Sequence, residues 1–271
     1  MRTEVRAPMM PPADRAQRND LITEVPCGGG EPGGTMGERG GPLGTRIVII
    51  AAHAFEARAA AGVGRHMEKE RWGPWMLYQG EMWDLPMAII RCGPGKAAAG
   101  AAAQAAVEYL EPRLLVAFGV ATAVDPRVPL GTVVAAQEVV DVALLALAEL
   151  PVEVPARFAP DRHIVRHLLG VPGVRRGTVL SWEGKTRAPF PVPVLDPPLE
   201  GVLVTDWESS AVGQVGEAWE VPWSSLRVVA DHGEDDRLRR LAVVARRPLQ
   251  WGAEVLRRGC QRFAEDEAVT Q

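Results

Sequence analysis

Cysteine is scarce: Cys27, Cys92 and Cys260 are the only three in 271 residues, and no two stand at a disulfide or metal-site spacing. A reduced, cytoplasmic setting is the expectation, with no metal and no cofactor. No apolar run approaches the ~18 residues of a membrane span. The opening residues, MRTEVRAPMMPPADR, carry charge but no apolar h-region, so a secretory signal is not expected. An excess of one charge is also missing: 30 Lys and Arg against 34 Asp and Glu leave a formal −4. With no basic stripe, nucleic acid is excluded as the main partner. No internal repeat is visible.

What remains is an ordinary globular composition, 47% apolar, in a chain long enough for one α/β domain with an extension. Residues 1–44 are rich in Gly and Pro (CGGGEPGG, GERGGPLG) and cannot bury enough surface to offset their ordering entropy. They read as a disordered or loosely attached extension, and 45–271 as the domain. Arg46–Ala52 is a buried β-branched run of central-strand type, followed by a helix, HAFEARAAAG, closed by Gly62. Trp75–Gln79 and Met87–Arg91 read as paired strands. Lys96–Leu110 is an Ala-rich helix, and Arg113–Phe118 a strand ending in a small-residue turn, GVATA. Strands at Gly131–Val140 and Gly177–Ser181, a helix at Arg162–Leu169, a proline-dense loop at Thr186–Pro198 and a C-terminal helix at Arg247–Glu265 follow. Such alternation predicts a single α/β domain.

The stretch Gly201–Asp236 concentrates the chemistry. Two runs of parallel-strand type, Val202–Val204 and Leu226–Ala230, end on acids: Asp206 and Glu208 around Trp207, and Asp231. Open α/β sheets keep their sites at such strand ends, and buried acids there must be paired, solvated or used. Plainer roles stay open. Asp206 or Ser209 could cap the following helix, and Asp231 could pair with Arg227 or with Arg239 or Arg240. Glu56 could be a solvated first-turn glutamate, and His53 a satisfied turn residue. Two phosphate-loop lookalikes fail. Gly93-Pro-Gly95 with Gly100 has its third glycine misplaced for a dinucleotide fingerprint, and Val179 stands where a P-loop ending in Gly184-Lys185-Thr186 needs glycine.

Five collinear segments resemble the nucleoside phosphorylase/nucleosidase superfamily: IVIIAAHAFEA, CGPGKAAAGAAA, RLLVAFGVATAVDPRVPLGTVV, VTDWESSAVGQV and VPWSSLRVVAD. Methylthioadenosine/S-adenosylhomocysteine nucleosidases and hopanoid-associated phosphorylases look most similar. The resemblance implies a single-domain, three-layer α/β fold with a central mixed sheet flanked by helices, a homodimer, and cleavage of the N-glycosidic bond of a 5′-substituted adenine nucleoside. Glu56 falls where the family keeps the carboxylate that activates water, and Glu208 where an acid binds the ribose hydroxyls. Asp206 matches the neighbouring acid, Trp207 replaces a methionine under the sugar, and Asp231 matches the acid that protonates the base. Trp182 and Lys185 fall where the base is stacked and hydrogen-bonded. The family's Gly-Ser-Ala-Gly-Gly turn reads Gly119-Val120-Ala121-Thr122-Ala123, so Val120 replaces the hydroxyl that touches the nucleophile, with Thr122 a substitute two residues on. The phosphate set of the ordinary purine phosphorylases is absent, so water is the expected nucleophile. Arg58, Arg91 or Lys96 could rebuild an anion site for phosphate as co-substrate. The 5′-pocket would come from loops, Trp72–Trp83 and Thr186–Pro198, with a partner subunit. A lipid substrate would bring the protein to a membrane surface without a span.

Overall fold

The computed structural model describes residues 47–145, 155–184, 198–233 and 245–270. The expected 1–44 extension, Lys185, 186–197 of the proline-dense loop, and Arg239 and Arg240 lie outside them. Five consecutive buried residues make β1 (Ile47–Ala51) a central strand, flanked in parallel by β4 (Leu85–Arg91) and β5 (Leu114–Ala123). Outward from β4 the sheet continues antiparallel through β3 (Trp75–Met82) to the edge strand β2 (Arg65–Trp72).

On its other side β5 pairs in parallel with β10 (Trp223–Asp231). From β10 the ladder runs antiparallel to β6 (Val133–Asp141), then in parallel to β8 (Val174–Ser181) and to β9 (Val202–Asp206). The two-residue β7 (Arg157–Phe158) adds to β6. At Thr122↔Thr205 and Ala123↔Val204, β9 returns to the end of β5. The strands β5, β10, β6, β8 and β9 therefore close into a ring, and β5 belongs to both ring and sheet.

Alternation along the strands divides the interior into two cores, one on each face. Ile47, Ile49, Val116, Phe118 and Val228 pack against α1 (Ala54–Ala61), α4 (Arg162–Leu169) and α6 (Arg246–Thr270). Val48, Ile50, Leu115, Ala117 and Val229 pack against α2 (Lys96–Leu110) and α5 (Ser209–Ala218). The short α3 (Val142–Leu145) follows β6. The result is the expected three-layer α/β arrangement around a mixed sheet. Among the described residues no helix is long and apolar enough to cross a membrane.

Four details differ from the sequence reading. The charged segment RHMEKERW, whose side chains are mostly exposed, forms β2. It has no apolar alternation to betray it, and its charges suit an edge strand. Trp72–Trp83 is therefore part of a paired hairpin at the sheet edge and not a loop. The GVATA segment is strand rather than turn, extending β5 to Ala123. The acid-bearing strands β9 and β10 flank β5 with opposite sense. Their C-terminal ends still meet, because β9 touches β5 only at its last residues.

Trp223 anchors α5 to the sheet. Its ring fills the space above Gly213 and Gly216, where added Cβ atoms would come within 2.7 Å of it. It is 2% exposed, and its indole N–H finds no partner among the described residues. Trp223→Ala is expected to cost about 3–5 kcal/mol. Trp223→Phe should cost under about 2 kcal/mol, because it also removes an unsatisfied donor. Urea unfolding midpoints of the two variants measure the difference.

Candidate active site

The turn from β1 into α1 places Glu56 in the first turn of the helix, 2% exposed. Its carboxylate is held from the turn before α1 and from β5. The His53 N–H donates to Oε2 at 2.7 Å and the Val120 N–H to Oε1 at 2.8 Å. Glycine at 119 is a steric requirement, since a Cβ there would lie 2.4 Å from Glu56 Oε1. Burial pushes the Glu56 pKa above its ordinary value. The two N–H donors and the Arg227 guanidinium oppose this only in part.

At the end of β9 two acids meet a buried cation. Arg227, on β10 and 2% exposed, brings Nη2 to 2.5 Å from Asp206 Oδ2 and Nη1 to 3.9 Å from Glu208 Oε2. Asp206 also accepts from the Ser209 N–H at 2.9 Å, from Ser209 Oγ at 2.5 Å and from Ser181 Oγ at 2.8 Å. It therefore orders the start of α5 as well as pairing with Arg227. Glu208 accepts the Gly95 N–H at 3.0 Å. Gly95 has φ of 100° and Glu183 Oε1 lies 2.8 Å from where its Cβ would be, so only glycine fits. Burial, and then the charge of Asp206, raises the Glu208 pKa to about 7 against the pull of Arg227.

A second network stands beside this one. Asp141, at the end of β6, accepts from Lys96 Nζ and from Ser210 Oγ, each at 2.8 Å. The Lys96 N–H donates to Glu183 at 2.6 Å, which fixes the start of α2. A cavity of about 370 Å³ between α2 and α5 borders on Lys96, Asp141 and Ser210. Another cavity, of about 700 Å³, lies between α4 and strands β6 and β8 and is lined by none of Glu56, Glu208 and Asp231.

A model of the phosphorylase superfamily matches residues 46–256. The chain belongs to that superfamily. It is an enzyme of the nucleosidase/phosphorylase kind. It is 25% identical over 207 residues to the 5′-methylthioadenosine/S-adenosylhomocysteine nucleosidase of Maridesulfovibrio salexigens, covering 70% of this chain and 87% of that one. The corresponding nucleosidase of Haemophilus ducreyi is 25% identical over 167 residues, 57% of this chain and 71% of the relative. Among solved structures, the nucleosidase of S. pneumoniae with the transition-state inhibitor MT-ImmA has a TM-score of 0.68 at 16% identity, covering 80% of this chain and 99% of that one. Futalosine hydrolase of Helicobacter pylori has a TM-score of 0.70 at 15% identity, covering 80% and 98%. At those identities the structures speak for the fold.

The superfamily positions are distributed as follows. Glu56, Asp206 and Glu208 gather around Arg227. Val120 supplies its backbone N–H to Glu56, and among the described residues Thr122 makes no hydrogen bond to Glu56. Asp231 ends β10 at the same mouth of the ring, where a bulge after Val229 sets it beside Thr122 and Oδ1 accepts the Gly233 N–H at 3.0 Å. A bulge of this kind re-aims a side chain at a strand end. Trp207 is 39% exposed beside the acids. Trp182 donates its backbone N–H to the Asp206 carbonyl at 2.7 Å and packs against Val140 and Leu180. Arg227, entertained from the sequence only as a partner for Asp231, pairs with Asp206 instead. Together with Gly95 and Asp141 it is the part that the residue pattern left unassigned. The signal available was a cation in a mostly apolar strand, two positions after a serine pair, Ser224-Ser225.

Removing the cation should expose its importance. Arg227→Met leaves Asp206 and Glu208 buried without a counter-charge, and a loss of about 3–5 kcal/mol is expected. Adding Asp206→Asn should restore part of it. A double-mutant cycle on urea midpoints measures the coupling, and additive effects would mean the pair is not coupled.

Proposed function

We propose that this enzyme hydrolyses the N-glycosidic bond of an adenine nucleoside bearing a 5′-substituent, releasing adenine. The observation that carries this reading is the buried Glu56 carboxylate, fixed by two backbone N–H groups and set across Arg227 from Glu208. A carboxylate held so, with its pKa raised by burial, is suited to take a proton from water. Glu208 would accept the ribose hydroxyls, with Trp207 against the sugar. Asp231 would deliver a proton to the departing base and Trp182 would border it. Bond breaking of this kind builds positive charge on the sugar and negative charge on the base, so acids are needed on one side and a proton on the other.

Water is favoured over phosphate as nucleophile by the state of the nearby cations. Arg227 is committed to Asp206, and Lys96 to Asp141. Phosphate would then lack a free buried partner among the described residues at these two positions. The names of the relatives, nucleosidase and futalosine hydrolase, point to hydrolysis as well. The 5′-group is of the methylthio, homocysteinyl or adenosylhopane class, and the working unit is a homodimer.

Purified protein mixed with methylthioadenosine, adenosylhomocysteine or adenosylhopane should release adenine equally with and without phosphate. Release that requires phosphate would overturn the hydrolytic reading, and no release from any of them would overturn the activity. Glu56→Gln and Asp231→Asn should each lower kcat by about 10²–10⁴-fold while the fold persists. Retained turnover would remove that residue from the mechanism.

The raised carboxylate pKa values set the pH dependence. Glu56 must be ionised to accept a proton, and Glu208 ionised to accept two hydroxyls. Both anions are lost as pH falls, and Glu208 titrates at about 7. The ratio kcat/KM should therefore fall on the acid side from near neutrality rather than from the ordinary carboxylate range. Asp206→Asn should move that limb to lower pH, because it removes a charge that raises Glu208. An unmoved limb would count against Glu208 as the titrating group.

A further inference from the structure

Far from the carboxylates, two helices bring together a second set of ligating side chains. His163 and His167 are one turn apart on α4, so their rings share a face. Asp266 approaches both from α6. His163 Nε2 and His167 Nε2 each lie 3.0 Å from Asp266 Oδ2, and all three ligand atoms lie within 4.8 Å of one another. It is the one such grouping of three among the described residues. The Asp161 N–H at the start of α4 donates to the carbonyl of Trp223, which begins β10, while Asp231 ends it. At about 3.3 Å per residue, the strand separates the two places by roughly 25 Å.

The two histidines meet Asp266 differently. His163 makes a hydrogen bond to it. His167 Nε2 is buried at the same 3.0 Å, yet its ring is not oriented to make a hydrogen bond. An ion among the three would replace the His163 hydrogen bond and satisfy the buried His167 nitrogen. With metal–ligand bonds of about 2.1 Å, the 3.0 Å separation of each histidine from Asp266 corresponds to an angle at the metal of about 90°, and the 4.8 Å span of the set must close to about 4.2 Å or less when one ion takes all three. Arg166 Nη2 also reaches Asp266 Oδ2, at 3.2 Å, but its side chain is 68% exposed and can turn to solvent. Phe263, 5.3 Å from His163 between ring centroids, shields one side.

We propose that His163, His167 and Asp266 form a site for a divalent transition-metal ion of imidazole and carboxylate preference, such as zinc or cobalt(II), which ties α4 to α6. Two imidazoles and one carboxylate suit such ions and not calcium or magnesium. The ion would complete its shell with water and take no part in nucleoside cleavage. Its effect is on the stability of the α4–α6 face.

Full-length protein stripped with a chelator and titrated with cobalt(II) tests this. Saturation at one ion per chain with a visible absorption band, displaced by zinc, is expected. A hundredfold excess of zinc over its Kd should raise the thermal midpoint by roughly 5–10 °C. His167→Gln and Asp266→Asn, near-isosteric changes whose helicity is checked by circular dichroism, should each weaken binding by about 100-fold or more. No saturable cobalt binding by the unaltered chain would overturn the site. Undiminished binding in both variants would place the ion elsewhere and overturn it equally.

Discussion

A fully buried guanidinium is expensive to desolvate, and Arg227 is tolerated because carboxylates surround it. Asp206 holds it at close range, Ser209 and Ser225 accept from its Nε, and Glu208 and Glu56 feel its charge. The dependence runs both ways. Three acids gathered at one mouth would repel one another without it. The cation does not neutralise them all. Asp206 takes the direct contact, while Glu208 stands 3.9 Å away and stays poised near neutrality. One cation shared unequally among acids gives them different protonation behaviour from nearly the same surroundings.

The backbone prepares that arrangement. Glycines at 95 and 119 let main chain approach Glu183 and Glu56 more closely than any side chain would permit. At 119 the close approach lets the next residue present its N–H to Glu56. The hold on that carboxylate comes from the backbone at 120 and not from the side chain there.

Much of this was legible in residue order. β1 announced itself as five apolar residues ending at a turn that carries Glu56, and α2 as an alanine-rich run behind Gly95. The strand-end acids Asp206, Glu208 and Asp231 were visible because carboxylates rarely follow buried strands without purpose. Strand sense was not visible. The runs 202–204 and 226–230 look alike as parallel strands, and only pairing across more than eighty residues shows that β9 meets β5 head-on at its tip. β2 was hidden for the opposite reason: an exposed edge strand needs no apolar alternation. Arg227 escaped assignment because its partner is fixed by ring closure and not by spacing. The α4–α6 histidine cluster escaped because its carboxylate arrives a hundred positions later.

The double membership of β5 reaches into folding. The sheet half can form from residues near one another in the chain, through β1 to β5. Ring closure must wait for β9 and β10, which return from far along the sequence, and such long-range pairing is slow to form. Glu56 is bound to the early half, and Asp206, Glu208 and Arg227 to the late one. The gathering of Glu56, Asp206 and Glu208 around Arg227 thus requires the ring to be closed. Of the three acids, Glu56 is the one that reaches Arg227 only across the boundary between sheet and ring, along β5.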